Sequence, residues 1–311
     1  LFEVEYWELE QAKLKKENYS LPFQGQIALI TGAASGIGYA LAEKLAKEGM
    51  NIVLADIEQE ALETAVEKIS EHGVKTLGVK TDVMKKNEVE HLFNESIKAF
   101  DKVHFLCNNA GVASTVLADG IWELDDKDWE WVLGVNFYGT LYGLQSFVPH
   151  MIKHNEEGHV LNTISLAGIL PGEAIYGVSK HAALALSESL WQGLRNAKSN
   201  IGASVLCPGF VNTNIIESNR NRPDYLSSEN KTNFILKKLA STVLKRGKEP
   251  DDIADVTLDA IKNNHFYILP HTSYDEMIKE RYSRILARTE PQTADMQEIL
   301  KGTLMGDKGE W

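Results

Sequence analysis

The sequence predicts a doubly wound α/β fold: a single parallel sheet of about seven strands flanked by helices on both faces. Near-continuous apolar runs of strand length recur along the chain, amphipathic stretches of helix length separate the early ones, and a glycine-rich turn joins the first run to the first helix. Strands covered on both faces need no polar side, so unbroken apolar runs mark them better than alternation does.

In order, the expected strands are QIALIT (26–31), NIVLAD (51–56), KTLGVK (75–80), KVHFLC (102–107), GHVLNTI (158–164), IGASVLC (201–207) and, late, HFYILP (265–270). GIGYALAEKLAKEG after the first reads as a helix stopped by Gly49, and EQEALETAVEKISEHG after the second as one stopped by Gly73. Right-handed crossovers then bring the carboxyl ends of the strands to one edge, where ligands bind. Residues 24–270 form one domain, with extensions at 1–23 and 271–311. The polar segment 212–247 interrupts the pattern between the sixth and seventh strands, and 210–247 reads as a mobile, closing lid. Residues 1–20 and 273–290 read as charged helices; the ends either extend the oligomer interface, cover the active site or, the plainer reading, are solvated tails.

Composition excludes several classes. With 311 residues, 43% hydrophobic and 24% charged, the chain buries a sizeable core. A net charge of −12 argues against nucleic acid, whose phosphates need a basic surface. No apolar run approaches the roughly 18–20 residues that span a bilayer, so no membrane partner is expected. The opening LFEVEYWELEQAKLKKENY is too charged for a signal peptide, which makes the cytoplasm the default location. Cys107 and Cys207 end apolar runs and read as buried hydrophobes; no spacing suggests a metal site.

The chemistry gathers at the strand ends. TGAASGIG places Gly32, Gly36 and Gly38 between the first strand and helix, where the backbone must turn tightly and approach a pyrophosphate held on the helix N-terminus. Asp56 ends the second strand, placed to accept from ribose hydroxyls; merely capping the next helix is the bland alternative. A carboxylate there opposes the extra phosphate of NADP: like charges about 4 Å apart repel by roughly 4 kcal/mol at an effective dielectric near 20. Neither Ser35 nor Ile57 offers a compensating cation, which favours NAD. TDV (81–83) and NNAG (108–111) follow the third and fourth strands, and CPGFVNT (207–213) the sixth, with Thr213 able to bond a nicotinamide amide or the pyrophosphate.

YGVSKHAALALSESL puts Tyr176 and Lys180 four apart, hence on one helix face. Such a pair is either surface decoration or proton-transfer machinery. Bringing a phenol from pKa near 10 towards 7 takes about 4 kcal/mol, and an ammonium 4–5 Å away supplies roughly 3–4. The pair therefore makes an acid–base group usable near neutrality. Ser165 after the fifth strand can donate to a substrate oxygen. Asn136, in a helical pattern, is an amide that burial alone explains poorly.

In this order TGAASGIG, Asp56, TDV, NNAG, Asn136, Ser165, YGVSK and PGFVNT resemble the short-chain dehydrogenase/reductase family, over about residues 24–270. The resemblance implies a Rossmann-type fold and a catalytic tetrad of Asn136, Ser165, Tyr176 and Lys180. Tyr176 would exchange the proton with the substrate oxygen and Ser165 would hold that oxygen. Lys180 would bind the nicotinamide ribose and lower the phenol's pKa, and Asn136 would hold a water linking Lys180 to solvent. Cofactor contacts would come from Gly32, Ser35, Gly36, Ile37, Gly38, Asp56, Asp82, Val83, Asn109, Ala110, Gly111, Tyr176, Lys180, Pro208, Gly209, Val211 and Thr213. It also implies a homotetramer or homodimer packed through helices around 126–152 and 176–197. The stretch between Ser165 and Tyr176 is a residue or two shorter than is common there.

The expected activity is hydride transfer between NAD and a secondary alcohol or ketone. Two alternatives stand beside it: an NAD-binding sensor or scaffold without turnover, and a sugar-nucleotide epimerase or dehydratase, which the glycine spacing disfavours. The substrate wall is expected from 112–122, 166–175 and 210–235, suiting a medium-sized, partly hydrophobic substrate. Trp122 and Phe210 either face it or belong to the core.

Overall fold

A computed structural model describes residues 23–113, 120–172, 174–228, 238 and 241–291. Strand β1 (Ile27–Thr31) leads through the glycine turn into α1 (Gly36–Lys47), followed by β2 (Asn51–Asp56), α2 (Gln59–Ser70), β3 (Thr76–Lys80), α3 (Lys86–Phe100) and β4 (Phe105–Asn108). The second half runs α4 (Asp126–Leu133), a π-helical turn Gly134–Tyr138, α5 (Gly139–His154), β5 (Gly158–Thr163), α6 (Ala174–Asn196), β6 (Ile201–Leu206), α7 (Pro250–Lys262), β7 (Tyr267–Ile268) and α8 (Asp275–Ala287). The seven strands lie in the order β3-β2-β1-β4-β5-β6-β7, every pair parallel. The order reverses between β1 and β4, opening a crevice at their carboxyl ends, the place such sheets reserve for ligands.

Both faces of the central strands are covered, which is why their sequences are apolar throughout; the edge strands β3 and β7 are more exposed. Ala28 and Ile30 of β1 pack with Leu41 and Leu45 of α1 and with Ile253 and Ile261 of α7. Ile27 and Leu29 face the other way, against Leu92 of α3, Phe147 and Met151 of α5 and Leu194 of α6. Each large side chain so buried contributes about 1.5–3 kcal/mol.

Three boundaries depart from the sequence reading. Strand β4 starts at Phe105, not Lys102, although His104 N–H already bonds Ile27 O at 2.9 Å. Strand β7 is two residues long, because it is an edge strand and Pro270 has no N–H to pair. The helix expected over 126–152 is interrupted by the π turn at Asn136.

Residues after β7 do not leave the body: Tyr274 and Met277 are buried against Leu166 and Leu170. For this segment the reading of a solvated tail is corrected; the apolar positions of α8 supply the docking face. Residues 1–22 and 292–311 lie outside the described residues, as do 114–119, Glu173 and 229–235 of the expected substrate wall and 229–237 and 239–240 of the expected lid. Among the described residues no helix is long and apolar enough to cross a membrane.

Candidate active site

A cavity of about 740 Å³ occupies the crevice, lined from the glycine turn at one end to Tyr274 and Met277 at the other. At the first end, Gly32 holds φ +64° and Gly36 φ +57°. A Cβ on Gly38 would stand 2.1 Å from Gly32 O and 2.5 Å from Asn109 Nδ2, so only glycine lets α1 start this close to the turn. The first turn of α1 carries no acidic side chain and its last turn carries Lys44 and Lys47, leaving its N-terminal N–H groups and positive dipole end open to an anion. Ser35 and Ile37 line the cavity beside these glycines, and Thr213 reaches across from beyond β6: its Cγ2 is 3.1 Å from where a Gly36 Cβ would lie.

Asn109, expected to touch a cofactor, lines the cavity and also braces the turn. Its Nδ2 donates to Thr31 O at 3.1 Å and Gly32 O at 3.2 Å. Thr31 Oγ1 in return accepts the N–H groups of Asn109 (3.0 Å) and Ala110 (3.1 Å), and Thr163 Oγ1 donates to Asn109 Oδ1 at 3.1 Å. These bonds lock the ends of β1, β4 and β5 together; neither threonine stood out in the sequence.

Asp56 lines the cavity and caps the next helix. One carboxylate oxygen accepts Glu58 N–H at 3.1 Å, starting α2, and the other accepts Ala34 N–H at 3.0 Å, fixing the glycine turn. Burial raises its pKa above the ordinary carboxylate value, and those backbone donors oppose the shift. Beside it lies a pair that sequence reasoning missed. Arg220 Nη2 lies 2.5 Å and Asn221 Nδ2 2.8 Å from Glu58 Oε1, spanning more than 160 residues, and all three line the cavity. The Arg220 guanidinium holds the Glu58 carboxyl below its usual range. Asp82 is buried, accepting Met84 N–H at 3.1 Å, with Lys85 Nζ 3.2 Å away, and Val83 lines the same wall.

At the centre, Tyr176 sits in the first turn of α6, and Lys180 Nζ lies 5.7 Å from its ring centroid. The two side chains converge in the cavity wall as the spacing predicts. Lys180 is buried and donates to Thr163 O at 3.1 Å. Asn136 joins them: a Cβ on Gly111 would stand 3.4 Å from both Asn136 Oδ1 and Lys180 Nζ. The Asn136 amide is well used, accepting Val112 N–H at 2.9 Å and donating to Val112 O at 3.0 Å and Ser179 Oγ at 3.0 Å. The π turn delivers it there, as such turns often do at sites. Ser165 faces the cavity, its Oγ accepting Ala167 N–H at 3.1 Å. Pro208, Gly209, Phe210 and Val211 form the opposite lip. Trp122 is neither core nor lining: it is 81% exposed.

Burial pushes the Lys180 pKa down to about 8 from 10.5. Between those pH values the unfolded chain keeps a proton that the folded protein has released, so this group's contribution moves in favour of folding as pH rises. The stability of wild type relative to Lys180→Met is therefore expected to improve from pH 7 to 10, by up to about 3 kcal/mol, in urea titrations. A difference that stays flat with pH would show an ordinary lysine.

The family model for short chain dehydrogenases matches residues 26–224. The CLA biosynthesis dehydrogenase/reductase of Lactiplantibacillus plantarum is 34% identical over 286 residues, 89% of this chain and 99% of that protein. A short-chain dehydrogenase/reductase from Burkholderia phymatum, solved in complex with NAD, is 39% identical with a TM-score of 0.85, covering 89% of this chain and 99% of its own. A metagenomic short-chain oxidoreductase, solved in complex with NADP, is 25% identical with a TM-score of 0.61, covering 80% of this chain and 96% of its own. With the glycine turn, the sheet order and the crevice in place, the chain belongs to the short-chain dehydrogenase/reductase family of nicotinamide-dependent oxidoreductases.

Proposed function

We propose that the protein is an NAD-dependent dehydrogenase or reductase that interconverts a secondary alcohol and its ketone, with Tyr176 as the proton-transfer group. The observation that carries the reading is the convergence of Tyr176, Lys180 and Ser165 in the lining of the cavity that the glycine turn opens, with buried Asn136 packed behind Lys180. The pocket fits a dinucleotide: Gly32, Ser35, Gly36 and Ile37 line it, and the α1 N-terminus, with no side-chain cap, turns its N–H groups to a pyrophosphate. When bound, the nicotinamide supplies the hydride acceptor or donor. Tyr176 takes the proton from the alcohol oxygen or returns it to the ketone; Ser165 Oγ donates to that oxygen. Lys180 holds a ribose hydroxyl and places its charge beside the phenol. Asn136 fixes the Val112 backbone and α6, keeping Lys180 in position. A sensor without turnover has no use for Ser165 and Tyr176 together. Mixing the protein with NAD and a panel of secondary alcohols is expected to generate the absorbance of reduced nicotinamide; no turnover across the panel, nor of the matching ketones with NADH, sinks the reading.

NAD is expected to exceed NADP in kcat/KM, since the Asp56 carboxylate faces the ribose end. Arg220 tempers the preference, because a guanidinium stands nearby, neutralised by Glu58. We expect a ratio of about 10- to 100-fold, corresponding to roughly 1.4–3 kcal/mol. Asp56→Ala should narrow it, and so should Glu58→Gln, which frees Arg220 for the extra phosphate. Preference for NADP in the wild type would overturn the electrostatic assignment.

The helices around 126–152 and 176–197 are the proposed subunit interface of a homotetramer or homodimer, supported by exposed Tyr138 and Val178. Light scattering that finds only the monomer mass would exclude it. The 210–247 segment is the proposed lid. Its described part is fastened at both lips of the crevice: Ser218 Oγ accepts Ala113 N–H at 3.1 Å and donates to Ala113 O at 3.2 Å, while Arg220 holds Glu58.

A further inference from the structure

The far end of the cavity is built by residues beyond the stretch that the family model matches. Tyr274 and Met277 are buried there against Leu166 and Leu170, and both line the cavity. Tyr274 reaches in because Gly209 has no side chain: a Cβ there would stand 3.1 Å from Tyr274 Cε2 and 3.2 Å from Leu166 Cδ1. This wall is anchored at both ends. His271 Nδ1 accepts Gly209 N–H at 3.1 Å and its Nε2–H donates to Phe210 O at 3.2 Å, tying the start of the segment to the turn after β6. Arg281 of α8 donates to Ile169 O and to His181 Nε2 at 2.8 Å, one residue beyond Lys180. Charge is distributed unevenly along the cavity. Among the described lining residues, Asp56, Glu58, Asp82 and Arg220 sit at the β2–β3 end, and the one remaining charged side chain, Lys180, is committed to Thr163 O. Among the described lining residues no charged side chain stands at the Tyr274–Met277 end to pair with an ionised substrate group, and a buried charge without a counter-charge is costly.

Resting on the alcohol–ketone reading above, we propose that Tyr274 and Met277 determine specificity: they close the substrate end with an apolar wall that admits uncharged secondary alcohols and ketones carrying a bulky apolar body, and rejects carboxylate-bearing ones. Shortening Met277 should lengthen the pocket, and filling it should shorten it, without touching the dinucleotide end.

The test compares kcat/KM for 1-(2-naphthyl)ethanol, 2-butanol, 1-phenylethanol and 3-hydroxy-3-phenylpropanoate at saturating NAD. Met277→Ala should raise the naphthylethanol-to-butanol ratio about tenfold and Met277→Phe should lower it by a similar factor, with NAD affinity within about twofold of wild type. The hydroxy acid should trail 1-phenylethanol by at least about tenfold. Ratios that stay within about twofold of wild type in both variants overturn the wall, and parity of the hydroxy acid with 1-phenylethanol overturns its charge selectivity. A binding arm separates this outcome from failure of the oxidoreductase reading. In the NADH-loaded Tyr176→Phe background, 2-acetonaphthone should bind about tenfold more tightly with Met277→Ala and about tenfold more weakly with Met277→Phe. Should no alcohol turn over while these affinities shift, the chemistry is misassigned and the wall stands; unchanged or undetectable binding overturns the wall. Tyr274→Leu, a smaller buried residue at the neighbouring position, should shift the same ratios in the direction of Met277→Ala.

Discussion

Tyr176→Phe is expected to lower kcat/KM for secondary-alcohol oxidation by about 10³-fold while leaving the NAD dissociation constant nearly unchanged. Phenylalanine keeps the ring and its packing in the first turn of α6 and removes only the oxygen that can carry the proton. Positioned acid–base groups contribute about 10²–10⁴-fold to rate, and Tyr176 and Lys180 line the cavity together with Ser165. Lys180 Nζ lies 5.7 Å from the phenol ring centroid, and at an effective dielectric near 20 an ammonium at 4–5 Å from the phenolate oxygen favours it by roughly 3–4 kcal/mol. With the lysine's own pKa pushed down to about 8, that help is full below this pH and fades above it. Lys180→Met should therefore lose most of its rate relative to wild type at pH 7 and proportionately less at pH 9. Single-turnover measurements at saturating NAD separate the chemical step from binding. A Tyr176→Phe protein with a rate within about threefold of wild type would remove the phenol from the mechanism.

What the sequence made legible was the local part of this machinery. Six strands could be placed because burial on both faces forces apolar runs, and the glycine turn because backbone crowding at Gly38 tolerates nothing larger. Tyr176 and Lys180 were readable because four residues span one helical turn. Other features were hidden for a common reason: they are made by residues far apart in the chain. Arg220 meets Glu58 across more than 160 positions, and nothing local marks either. The π turn carries Asn136 to partners, Val112 and Ser179, that lie 24 and 43 positions away, so periodicity does not mark it. The seventh strand looked as strong as the others in hydrophobicity, but its edge position and Pro270 limit pairing to Tyr267–Ile268. Tyr274 and Met277 belong to a segment whose charged residues suggested solvent; Arg281 and Lys279 are part of that pattern, yet Arg281 points inward to Ile169.

Asp128→Ala is expected to destabilise the protein by about 3–5 kcal/mol, the cost of leaving a buried charge without its partner. Asp128, in the first turn of α4, is fully buried. One of its oxygens lies 2.5 Å from Arg222 Nη1 and the other accepts Ser228 Oγ at 2.9 Å. Arg222 also donates from Nε to Leu226 O at 2.7 Å and lies over the Trp131 ring at 5.0 Å. The pair thus pins residues 222–228 to α4, and Leu226 packs beneath the cavity with Trp131, Val135 and Ile175. Losing the carboxylate should leave the guanidinium desolvated, lower the urea midpoint and raise KM more than it lowers kcat, since the cavity floor loosens while Tyr176 and Lys180 stay in place. A double variant, Asp128→Leu with Arg222→Met, removes both charges and keeps apolar volume, so it should recover most of the stability. Recovery in the double variant distinguishes a desolvation penalty from general loss of packing. If Asp128→Ala instead unfolds within about 0.5 kcal/mol of wild type, the loop is held by its apolar contacts alone and the ion pair is incidental to the cavity floor.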